Sequence, residues 1–141
     1  MKNIFATAII AAVSVTPLVA LTALAAQAEE KLFRLEVKNQ AVENGKTLEM
    51  FFLETTRNPD NSEVEVSLIS GGSVSSSMFT LRGMCGLTRE RNESYFKTES
   101  LGGKPARYKV LFPKVAPPES VRPSKSEDKI WSLSECAMLK F

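Results

Sequence analysis

Two cysteines, fourteen glutamates, two aspartates and no histidine set the chemistry open to this chain. Cys85 and Cys136 stand about 50 residues apart, both well beyond the N-terminal apolar run. An even cysteine count in an exported protein predicts one disulfide, and two thiols with no histidine make a poor metal site. Redox pairs usually sit in a close Cys-x-x-Cys, which this spacing does not offer. Without histidine there is no Ser-His-Asp or Cys-His machinery and no imidazole-ligated zinc, copper or iron. Acid–base work would fall to carboxylates, Lys or Tyr. Asp60 lies in Asn58-Pro59-Asp60-Asn61-Ser62, which is turn chemistry, and Asp128 lies in a polar stretch. No glycine-rich phosphate loop is present. The reading is a non-enzymatic chain with no cofactor and no metal. A glycan hydrolase built on paired glutamates is the only enzymatic option the composition leaves open.

The basic residues offer binding chemistry. Removing 28 leader residues from 141 leaves 113, with 17 Lys+Arg (18 less Lys2) against 16 Asp+Glu. The near balance hides a split. Residues 29–65 carry nine acids and five bases, whereas 66–141 carry seven acids and twelve bases. Arg82, Arg89, Arg91, Lys97, Arg107 and Lys109 form the densest part and are the candidate partner-binding residues. They would attract an acidic protein surface. Nucleic acid is a poor fit at a net charge of +1 (17 − 16) with no recognition motif.

The compartment follows from the N-terminus. Met1-Lys2-Asn3 gives a short basic start, an apolar run extends from Ile4 to Ala26, and Ala26-Gln27-Ala28 has the small-x-small form of a signal-peptidase site. The expectation is a signal peptide over 1–28, cleaved before Glu29, and a periplasmic or secreted mature chain with no stable membrane insertion. A retained anchor is the competing reading, weakened by Pro17, Ser14 and Thr16.

The elements that must position these residues read as strands. Phe33, Leu35 and Val37 alternate with Arg34, Glu36 and Lys38, and Val64, Val66 and Leu68 alternate with Glu63, Glu65 and Ser67. Between them, Leu48–Thr55 is nearly continuously apolar, and Asn44-Gly45 and Asn58–Ser62 supply turns. Ser77–Arg82 presents Phe79 and Leu81 on one side. Gly83 and Gly86 mark a bend or bulge where backbones approach closely. Leu87–Arg91 and Ser94–Leu101 are predicted to pair as a hairpin around Asn92-Glu93. After Gly102-Gly103, Arg107–Phe112 puts Tyr108, Val110 and Phe112 on one face, and Tyr108 and Trp131 read as core aromatics. Pro113–Lys125 is a proline-rich loop or crossover. Alternation favours a strand for Lys129–Phe141, with a helix capped by Ser124-x-x-Glu127 as the alternative.

The resulting expectation is an all-β single domain over 29–141, an antiparallel sandwich or partly open barrel of about seven strands with one disulfide. The function expected of it is protein binding, as an inhibitor or immunity-type protector of an envelope or secreted enzyme, monomeric or a small oligomer. The alternative is a structural or accessory subunit of an envelope or surface assembly that docks by edge-strand addition.

Overall fold

The computed structural model describes residues 31–116 and 128–139. β1 (Arg34–Ala41) and β3 (Asn61–Ser70) follow the alternation of the sequence, and β2 (Thr47–Arg57) takes the apolar run between them. β1 and β2 are joined through a short 3-10 turn at Glu43–Gly45, in which Asn44 and Gly45 both take positive φ (65° and 68°). Asparagine and glycine tolerate that region best. Then come the helix α1 (Ser73–Glu90), the strands β4 (Tyr95–Gly102), β5 (Ala106–Leu111) and β6 (Trp131–Ser132), and the short helix α2 (Leu133–Met138).

These strands make one antiparallel sheet in the order β1-β2-β3-β5-β4-β6. It curls into a half-barrel. β3 and β4 run parallel with β5 inserted between them, so α1 is the crossover of a split β-α-β unit. Antiparallel β structure and the single disulfide agree with the sequence reading; the strand number is six among the described residues.

The inward face carries Leu48, Met50 and Phe52 from β2, Val64 and Val66 from β3, Phe96 from β4, and Val110 with Phe112 from and just after β5. Against it α1 sets Phe79, Gly83, Met84, Leu87 and Thr88, positions spaced at i, i+4, i+5, i+8 and i+9 as a helix requires. Here the sequence expectation fails. Ser77–Arg82 and Leu87–Glu90 are parts of one helix that Arg91 caps, and Asn92-Glu93 leads from that helix into β4. Asn92 takes φ 54° just after the helix ends, the left-handed stop that asparagine permits.

Gly83 and Gly86 do allow close approach, but from within α1. A Cβ on Gly83 would stand 2.3 Å from the Phe52 ring, and one on Gly86 would stand 2.7 Å from Phe33. Phe52 is fully buried and cannot yield, whereas Phe33 is half-buried. Gly83→Ala therefore lowers stability by roughly 1–3 kcal/mol through overpacking. This outweighs the gain of about 1 kcal/mol in helix propensity. Gly86→Ala is better tolerated. Denaturant unfolding of the two variants checks the ranking.

The C-terminal segment also departs from the strand expectation. Only Trp131 and Ser132 pair with β4, opposite Phe96 and Tyr95, and the Trp131 ring stacks on Phe96 at 6.3 Å. The chain then turns into α2 through a capping box. The Glu135 amide donates to Ser132 Oγ (3.2 Å), and the Ser132 amide donates to the Glu135 carboxylate (2.9 Å). Burial raises the pKa of Glu135, but the Ser132 amide and Lys129 outweigh it and hold the carboxyl below its ordinary value. The predicted Ser124/Glu127 cap, the leader 1–28 and most of the proline-rich stretch lie outside the described residues.

Candidate functional site

Cys85 on α1 and Cys136 on α2 form the disulfide, with Cα atoms 5.9 Å apart. Both cysteines are buried. Beside the bond, between β1 and the two helices, runs a cleft of about 460 Å³. Phe33 and Leu35 line it from β1, Cys136, Ala137 and Leu139 from and just after α2, and Arg82, Cys85, Gly86 and Arg89 from α1. The two arginines are seven positions apart in the helix, so they share one face with Cα atoms about 10 Å apart. Both are exposed, and neither has an ion-pair or hydrogen-bond partner among the described residues. Among the described residues no acidic side chain lines the cleft.

The cleft opens beside an unpaired sheet edge. Among the described strands β1 pairs only with β2, so the backbone on its other side has no ladder partner. The register slips between Val37 and Gln40, where Asn39 takes φ 54°. Such a bulge blunts an edge. The regular edge is therefore the first half of the strand, Arg34–Val37, next to Phe33 and Leu35 in the cleft wall.

The six basic residues singled out in the sequence fall in three surroundings. Arg82 and Arg89 meet at the cleft. Arg91 is committed to the fold: its guanidinium donates to the Asn58 carbonyl (2.5 Å) and the Pro59 carbonyl (3.1 Å) and lies over the Phe112 ring. Lys97, Arg107 and Lys109 stand on the outward face of the sheet. There Lys109 lies between Glu63 and Glu99 in the ladder, Arg107 is opposite Glu65, and Lys97 is 3.7 Å from Asp128. That face is mixed in charge, and individual exposed pairs of this kind contribute little to stability.

The most deeply buried charge is Glu54, which the sequence reading passed over. Its side chain is sealed from solvent. It accepts hydrogen bonds from the Phe33 amide (2.8 Å), Ser62 Oγ (2.6 Å) and Arg57 Nε (2.9 Å), and pairs with Arg57 Nη2 at 2.5 Å. Burial pushes its pKa up, but the donors from Arg57, Phe33 and Ser62 and the Arg57 charge together hold it below the ordinary value. Every acceptor position is used, which marks Glu54 as a clamp of β1, β2 and β3 rather than a reactive group. Among the described residues no three His, Cys, Asp or Glu side chains group as metal ligands would.

No protein-family model, no curated protein and no solved structure matches the chain. The disulfide is consistent with a non-cytoplasmic compartment. No helix among the described residues is long and apolar enough to cross a membrane.

Proposed function

We propose that this chain is an exported binding domain, periplasmic or secreted, that acts as an inhibitor or immunity-type protector of an envelope or secreted enzyme. It does so by taking an acidic segment of that partner into the Arg82–Arg89 cleft. The observation that carries this reading is the pair of exposed arginines, without counter-ions among the described residues, flanking a cleft that also holds Phe33 and Leu35 at a free strand edge. An extended segment can add to the edge of β1 through backbone hydrogen bonds, place apolar side chains against Phe33 and Leu35, and offer carboxylates to both arginines. The disulfide holds two walls of the cleft together, which reduces the ordering cost of binding. The reading is non-catalytic and needs no cofactor.

The test is capture from the native exported fraction. The double variant Arg82→Glu/Arg89→Glu is expected to weaken capture of the partner at least tenfold, since it sets like charges face to face. Its melting temperature stays close to wild type because both positions are exposed. Lys97→Glu/Lys109→Glu, on the outward face, leaves binding unchanged. Equal capture by the cleft variant and wild type removes this site.

The free edge of β1 also supports a second reading, a subunit of an envelope or surface assembly that docks by strand addition. It differs in solution behaviour. An assembly subunit extends into long oligomers or waits for its neighbour, whereas an inhibitor stays a monomer or a small closed oligomer.

A further inference from the structure

A second cavity lies between α1 and the inward face of the sheet, away from the arginine cleft. Its volume is about 490 Å³, within the range of small-molecule sites. Leu68, Leu81 and Ala106 give it an accessible apolar wall over a floor of the buried Met50, Val66 and Met84. Among the described residues no charged side chain lines it. Lys129, which lies over the ring of the wall residue Trp131 at 3.6 Å, is paired with Glu135 at 3.1 Å.

Three polar groups in the wall distinguish this cavity from a packing defect. Thr98, Tyr108 and Trp131 line it, and neither hydroxyl nor the indole N–H has a hydrogen-bond partner among the described residues. The serines and the threonine of α1 in the same wall are already bonded to carbonyls of their own helix. No buried side-chain polar atom among the described residues lacks a partner, so the three groups are open to solvent. Trp131 and Tyr108 thus belong both to the edge of the core and to the cavity wall.

We infer that this cavity is a binding site for a neutral amphiphile, a single apolar chain carrying an uncharged ester or hydroxyl head. The chain lies against Leu68, Leu81 and Ala106, over the floor formed by Met50, Val66 and Met84. The head oxygens accept from the Trp131 N–H and from the Thr98 and Tyr108 hydroxyls. A carboxylate or phosphate head is disfavoured because burying it there supplies no counter-charge. The site is independent of the partner cleft, so either can fail without the other.

The test uses the full chain and the neutral fluorophore N-phenyl-1-naphthylamine, displaced by monodecanoyl glycerol or by decanoate. Saturable binding of the fluorophore is expected, with the glycerol ester displacing it at least tenfold more effectively than the carboxylate. Ser77 is exposed in the cavity wall, so Ser77→Trp obstructs the mouth with the fold retained, as circular dichroism will show, and weakens both ligands at least tenfold. Tyr108→Phe keeps the ring and weakens the ester roughly three- to tenfold, the worth of one hydrogen bond. No saturable binding by wild type, binding unaffected by Ser77→Trp, or decanoate matching the ester overturns the inference.

Discussion

Replacing Cys85 and Cys136 together by serine is expected to lower the unfolding free energy by about 4 kcal/mol and the melting temperature by roughly 15–25 °C. The bridge spans 51 residues of sequence, which makes the unfolded chain much freer once it is cut. The native side adds to the effect. β6 has two residues and α2 has six, too few for either to hold without tertiary support. The disulfide is the covalent tie between that C-terminal piece and α1. Reduction should therefore release α2 and dismantle one wall of the arginine cleft. Denaturant unfolding of wild type with and without reductant, beside the double serine variant, measures both effects. Coincident curves would mean that packing alone holds α2.

The second large effect is at Glu54. Glu54→Ala is expected to cost roughly 3–5 kcal/mol, because it withdraws the carboxylate shared by the Arg57 guanidinium, the Ser62 hydroxyl and the Phe33 amide. The same site sets a pH dependence. The folded pKa of Glu54 lies below its unfolded value, so its contribution is fully present above about pH 4.3 and is lost as pH falls through the folded pKa. Wild type should lose stability steeply on the acid side of that value. Glu54→Gln should start lower at neutral pH and show a shallower acid loss. Denaturation midpoints between pH 7 and pH 2.5 test this, and parallel curves for the two proteins would contradict it.

Strands β1, β3 and β5 were legible because each alternates apolar and polar residues, and β2 because its apolar run is short and bounded by turn residues. α1 was not, and the reason lies in its core positions. Gly83 and Thr88 face the sheet where a helix pattern would show large apolar residues, and the glycines read as breaks. Gly83 leaves the room that the Phe52 ring fills from the sheet, and Gly86 leaves that of Phe33. α2 was hidden by its length, although Ser132-x-x-Glu135 carried the capping signal in plain view. Glu54 escaped because residues three apart point to opposite faces of a regular strand. The irregularity between Glu54 and Thr56 allows Arg57 to reach it.

The candidate site was only partly readable for a related reason. Density of charge along a chain does not convert into density on a surface. The basic stretch from Arg82 to Lys109 runs through a helix, a turn and two strands, which send its side chains to three different places. Arg82 and Arg89 converge only because both lie on α1 seven residues apart, and that spacing means nothing until the helix is known.

The most direct test of partner binding at the cleft is amide hydrogen–deuterium exchange of the full chain, free and with the captured partner. Added protection over Phe33–Val37 of β1 and over Arg82–Arg89 of α1, with the outward face of β4 and β5 unchanged, is the predicted result. Protection confined to the outward residues Lys97, Arg107 and Lys109, with β1 and α1 exchanging as in the free chain, would contradict it.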